Sequence, residues 1–233
     1  MEKVLPPPDG WMDDSLTGFF ERAHRNRFAT FANKKNCAQR LIALDACFVS
    51  VAKDWQNPPN LLIPFFFFRC HSAFRAACEH AMSGQVTEAF PQIRTCLEYA
   101  GYALYIHKNS GLAETWLKRH DDDDTLKAVK KEFTVANVRS SIKNVNSRLE
   151  QIFGELYQRA IDFGGHPNER AITGSMNMIN LGDQKSYESI YLHGDGLAID
   201  HALKSTAQAG VCSLEVLQAV YPERNFGDRI RNS

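Results

Sequence analysis

The chain offers no net charge to a polyanion, because 27 basic residues balance 27 acidic ones. General nucleic-acid binders are usually basic, since phosphate neutralisation dominates their affinity, so the composition demands no such partner. Long apolar runs are also missing. The longest, 61–68 (LLIPFFFF), ends at Arg69, well short of the ~20 residues that span a bilayer, and no membrane partner is expected. The opening MEKVLPPPDG lacks the apolar centre of a secretory signal. The six cysteines (37, 47, 70, 78, 96 and 212) form no CxxC pair. They read as reduced, mostly buried thiols of a cytoplasmic protein.

Chemical signatures are equally sparse. GxSxG, P-loop, GxGxxG and HExxH patterns do not occur. His71 and His80 share a helix without sharing a metal-binding face, and His193 and His201 merely flank Asp195. The run Asp121 to Asp124 reads as a solvated turn that caps the next helix, because a divalent cation would need further oxygen ligands. No cofactor and no metal are therefore expected.

What the sequence does contain is helical periodicity. After a Pro-rich lead-in over 1–10, a helix is expected over 13–33, with Phe19, Phe20, Phe28 and Phe31 as its apolar anchors. A second, over 35–55, carries the stripe Cys37, Leu41, Leu44, Phe48, Val51 and Trp55, and Asn57-Pro58-Pro59 stops it. Asn60 is a candidate N-cap for a third helix over 61–82, whose stripe is Ile63, Phe67, Cys70, Phe74, Ala77 and Ala81. Arg75 and Glu79 share its polar side at i,i+4 spacing. The stretch 84–108 reads as the central helix, with Val86, Phe90, Ile93, Leu97, Ala100, Leu104 and His107 as its seam, and Pro91 kinking it or delaying its start.

Short helices follow over 112–120 and 126–133, then a long one over 137–163 that Gly164-Gly165 and Pro167 end. Over 171–193 the pattern changes to a β-hairpin or a pair of extended arms around 181–184. A last helix over 197–220 carries the small-residue stripe Ala198, Ala202, Ser205, Ala209, Cys212, Val216 and Ala219. Small side chains let another helix approach closely, so the stripe belongs either in the centre of the fold or at a homodimer contact. The expected architecture is mainly α, a multi-helix bundle with a small β-hairpin between the last two long helices. It forms one helical domain over 1–233, with flexible ends at 1–10 and 224–233.

Two constellations remain. Arg94 and Glu98 lie one turn apart beside the central seam. They form either a surface ion pair worth a few tenths of a kcal/mol or an inward-facing binding pair, whose guanidinium offers five donors to a carboxylate or phosphate. His166 follows the end of the long helix, with Arg159 six intervening residues earlier. An Arg-and-His pair near a helix end can stabilise a phosphate and move protons, the chemistry of metal-free RNA cleavage. Cys96 reads as a packed thiol.

The pattern Gly84-x3-Glu88-Ala89-x4-Arg94-x3-Glu98, followed by His166-Pro167, resembles an uncharacterised group of bacterial helical proteins. The Arg159-x6-His166 spacing is similar to the R-x4-6-H signature of the HEPN superfamily. That resemblance implies a dimeric helical bundle and a metal-independent ribonuclease of a defence or toxin system, with Arg159 and His166 as its catalytic pair. Two readings stay open. One is a helical binding or interaction protein with an Arg/Glu/His cluster and a small anionic ligand; the other is a HEPN-like nuclease acting on RNA. The neutral net charge, and Ala160 standing where nuclease members usually carry a polar residue, place the binding reading first.

Overall fold

The computed structural model describes residues 6–53, 62–182 and 184–222. As expected, it is mainly α with one small hairpin. Three helices form its middle: α3 (Leu62–Ser83), α4 (Val86–Lys108) and α10 (Leu197–Gln218). α3 and α4 pack along their lengths, and α10 lies against both. Every residue of the α3 stripe is buried, and so is the α4 seam except His107, which is exposed. Of the two places open to the small-residue stripe of α10, it takes the centre: Ala202, Ser205, Ala209, Cys212 and Val216 are buried within the chain. A side chain on Gly210 would meet the Phe74 ring at 2.6 Å, which shows how closely α10 approaches α3.

α2 (Lys35–Lys53) covers this core with Leu41, Leu44, Phe48 and Val51. Trp55, Asn57-Pro58-Pro59, Asn60 and the 224–233 tail lie outside the described residues. Beyond α4 come α5 (Leu112–Leu117) and α6 (Asp123–Glu132). The aspartate run does cap: Asp122 accepts from Thr125 N at 2.7 Å in a capping box. Among the described residues, no cluster of His, Cys, Asp or Glu suited to a metal ion occurs, and no helix is long and apolar enough to cross a membrane.

Two expectations need correction. The long helix over 137–163 is two helices, α7 (Val135–Lys143) and α8 (Ser147–Ala160). Asn146 leaves the helical conformation and its side chain accepts from Arg148 N and Leu149 N at 2.9 and 3.1 Å, so a local cap outcompetes continuation. Val145 is accordingly exposed. Gly101 admits this pair to the core, because a methyl there would sit 2.5 Å from Val138 and 3.4 Å from Phe153.

The second correction concerns α1 (Ser15–Asn33), capped by Asp14. Its buried residues are Gly18, Ala23 and Thr30, whereas Phe20, Phe28 and Phe31 are exposed and Phe19 half-buried. The phenylalanines do not anchor it. Instead Asn26 donates to the Ser83 and His193 carbonyls at 3.1 and 3.4 Å, and Lys34 bridges Asp195 and Asp200. His193 N–H donates to the Gly84 carbonyl at 2.8 Å. Gly84 holds a φ of +83°, and a Cβ there would lie 2.2 Å from the His193 carbonyl, so only glycine fits this junction.

Arg75 and Glu79 stand on the exposed side of α3, as expected, and each pairs with another helix. Glu79 accepts from Arg27 of α1 at 2.7 Å, and Arg75 clamps Asp45 of α2 through Nε and Nη2 at 2.6 and 2.9 Å. Inter-helix geometry wins because a bidentate carboxylate fork outweighs an exposed i,i+4 pair. The hairpin, β1 (Met176–Leu181) with β2 (Gln184–Ser189), pairs Met178 with Tyr187. It follows the short α9 (Glu169–Thr173) and projects Met176, Met178 and Tyr187 to solvent.

The Asp45 clamp also predicts acid sensitivity. His71 Nε2 lies 2.6 Å from Asp45 Oδ1, and its ring stacks on Phe48 at 4.9 Å. Arg75 holds the Asp45 carboxyl below its ordinary 3.8. Burial holds His71 below its ordinary 6.5, outweighing the neighbouring carboxylate. Both groups therefore bind protons more readily in the unfolded chain, and stability falls with falling pH. The His71 contribution is complete above 6.5 and declines below it; that of Asp45 declines below 3.8. The urea midpoint should drop between pH 7 and 5, and His71→Gln should make that dependence shallower. Half-buried His193 and His201, shifted in the same direction, supply the remainder. An unchanged slope in His71→Gln contradicts this assignment.

Candidate functional site

Pro91 has no N–H, so the Thr87 carbonyl one turn earlier in α4 loses its helical partner. The chain after α8 uses that opening. A π-helical segment, Ile161–Gly165, runs against α4, and a Cβ on Gly164 would lie 2.2 Å from the Thr87 carbonyl oxygen. Close backbone approach at this point places Gly165, and hence His166, beside the α4 pair.

Arg94 and Glu98 are each about one-third exposed, neither a surface pair nor a fully buried one. Arg94 Nε donates to Glu98 Oε1 at 2.9 Å, and its Nη1 reaches the Gly165 carbonyl at 3.4 Å. Tyr157 of α8 donates its hydroxyl to the same Glu98 oxygen at 2.8 Å. The Arg94 guanidinium carbon lies 5.4 Å from the centre of the Tyr157 ring, within cation–π range. Burial, then the Glu98 carboxylate, pushes the Tyr157 hydroxyl up to about 12, so it stays a neutral donor at physiological pH. The result is a clasp linking α4, α8 and the π segment. Its donors and acceptors largely satisfy one another.

His166 is exposed, and its carbonyl accepts from Asn168 at 3.0 Å. It adjoins the clasp through Gly165. Arg159 turns elsewhere: its Nη1 donates to Gln208 Oε1 at 2.7 Å and to Ser205 Oγ at 3.3 Å, both on α10. The structure thus brings Arg94, Glu98 and the Gly165 carbonyl together, with His166 the next residue along the chain, and directs Arg159 into a different surface.

That surface is a cleft of about 490 Å³ between α2, α8 and α10. Leu44, Ile152, Leu156, Ala207, Val211 and Cys212 form its apolar wall, with Arg40, Arg159, Glu155 and Glu215 as its charged groups. Among the described residues, no carboxylate lies within ion-pair distance of Arg159. Burial raises the Cys212 thiol well above its ordinary range, which makes it a packed wall residue and no nucleophile. Burial likewise raises the Glu215 carboxyl, with Arg148 opposing.

Two participants escaped sequence reasoning. Tyr157 occupies a core-facing helix among Phe153, Leu156 and Ala160, and a hydroxyl on such a face is the signal that a partner waits inside. Arg40 precedes Leu41 of the α2 stripe; only the approach of α8 and α10 makes its position notable. Comparison with protein-family models, curated proteins and solved structures finds no match to this chain.

The clasp predicts a structural penalty. Arg94→Ala leaves Glu98 with Tyr157 alone and unties the Gly165 carbonyl, which should cost about 1–3 kcal/mol in urea unfolding; Tyr157→Phe should cost about 0.5–1.5 kcal/mol. The double variant should cost less than the sum, because both act on one oxygen. An Arg94→Ala protein as stable as the parent would contradict the clasp.

Proposed function

We propose that this chain is a binding protein whose α2–α8–α10 cleft takes a small ligand with an apolar body and one anionic head group. The observation that carries this reading is Arg159. It is half-buried, aimed by two neutral hydrogen bonds, and set against an apolar wall. A guanidinium held so, with no carboxylate at ion-pair distance, retains charge for a carboxylate or phosphate, while the wall takes the apolar part. Glu155 and Glu215 at the same cleft repel extended polyanions, which favours a compact head group. Arg94 and Glu98, already occupied with each other and with Tyr157, support the frame behind it.

Octanoate, titrated calorimetrically, tests the proposal. Binding is expected, and Arg159→Met should weaken it at least about tenfold, the worth of one charge-assisted contact. Affinity should also fall as rising pH ionises Glu215, because the new carboxylate repels the anion; Glu215→Gln should flatten that dependence. Equal binding by parent and Arg159→Met would sink the reading.

A HEPN-like ribonuclease is the second reading, and one feature favours it. Arg159 and the exposed His166 bracket a π-helical segment, an irregularity frequent at functional sites. It expects metal-free cleavage of single-stranded RNA that His166→Ala abolishes. RNA left intact by the parent protein, or cut equally by both forms, rejects it.

A further inference from the structure

α1 is a helix turned inside out. Gly18, Ala23 and Thr30 face the fold, while Leu16, Phe20, Phe28 and Phe31 stand between 46% and 65% exposed along one side. Soluble chains ordinarily bury such aromatics, and a contiguous exposed apolar stripe marks an interaction surface. The spacing 16, 20, 24, 28 and 31 keeps these side chains and His24 on one helical face. α1 is held to the rest of the chain by polar ties through Asn26, Arg27 and Lys34; on its aromatic side Trp11 packs on Phe20 with ring centres 6.3 Å apart, and the stripe still remains 46% to 65% exposed.

We infer that this stripe is the interface of a homodimer, in which α1 of one copy lies antiparallel on α1 of a second. The charges select this occupant. Glu21 and Arg25 lie on one flank of the stripe, 2.9 Å apart within the chain. Reversal about the helix midpoint, near Ala23 and His24, brings Glu21 of each copy beside Arg25 of the other on that flank. The four charges then alternate in sign. The same reversal lays Phe20 against the region of Phe28, so one patch is complementary to itself, the requirement of an isologous two-fold contact. A 19-residue helix is about 28 Å long. Covering the exposed parts of its four large apolar residues removes on the order of 500 Å² per copy, and the flanking polar residues extend this toward the smallest stable interfaces. The contact is independent of the small-residue stripe of α10, which the monomer itself buries.

The full chain weighs 26.3 kDa, and light scattering coupled to gel filtration should return twice that mass. Phe28 meets only the His24 ring among the recorded ring contacts, so Phe28→Glu should leave the circular dichroism unchanged while raising the dimer dissociation constant at least about tenfold. Arg25→Glu should weaken the dimer, and the exchange Glu21→Arg with Arg25→Glu should restore it. A monomeric mass at every loading concentration overturns the proposal. So does a dimer indifferent to both Phe28→Glu and Arg25→Glu, which would place the interface elsewhere. A monomer that sediments with anionic phospholipid vesicles through the same stripe also overturns it, in favour of a membrane surface.

Discussion

The burial of α4 constrains most of the rest of the structure. Twelve of its residues, from Val86 to Ile106, are buried, and α3, α10, α7 and the π segment all lean on it. Glu88 and Lys108 of this helix stand exposed, but a helix covered on so many sides has little water to offer groups on its inner faces, so a charge there must find partners inside the protein. Arg94 and Glu98 do so with each other, with Tyr157 and with a backbone carbonyl. Gly101 and Gly164 serve the same constraint from the packing side, since each lets a neighbour come closer to α4 than a Cβ would permit.

This arrangement separates two arginines that look alike in the sequence. Arg94 is tied into a network with Glu98, Tyr157 and the Gly165 carbonyl, and a linked network of this kind stabilises a frame. Arg159 lies on α8, two residues before the π segment, yet faces α10. There it meets neutral acceptors and a wall of aliphatic side chains, which leaves its charge available. The partners of each arginine therefore follow from the helix crossing it meets, more than from the residue type.

Much of the fold was legible along the chain. The stripes of α2, α3, α4 and α10 satisfy a 3.6-residue period that hydrophobic burial enforces locally, and Gly, Pro and Asp mark most of their ends. Periodicity is weaker at choosing among faces. In α1 it pointed to the phenylalanines as anchors, but burial of Gly18, Ala23 and Thr30 instead depends on the close approach of other helices and on the Asn26 and Lys34 ties, which no local pattern encodes. The break at Asn146 was similarly hidden, because an apolar rhythm continues across it while one side-chain cap redirects the backbone.

Local sequence alone determined that this chain is mainly helical, with a hairpin before the last helix, because propensity, capping and amphipathic spacing act over a few residues. It also determined the proximity of Arg94 to Glu98, since both sit on one helix. Tertiary structure decided what those residues do. Tyr157 reaches Glu98 across 59 positions and Arg159 reaches Gln208 across 49, and contacts of that separation exist only once the helices have packed. The cleft and the outward aromatic face of α1 belong to the same class: each is a property of how surfaces meet, set by shape and polar satisfaction across the fold.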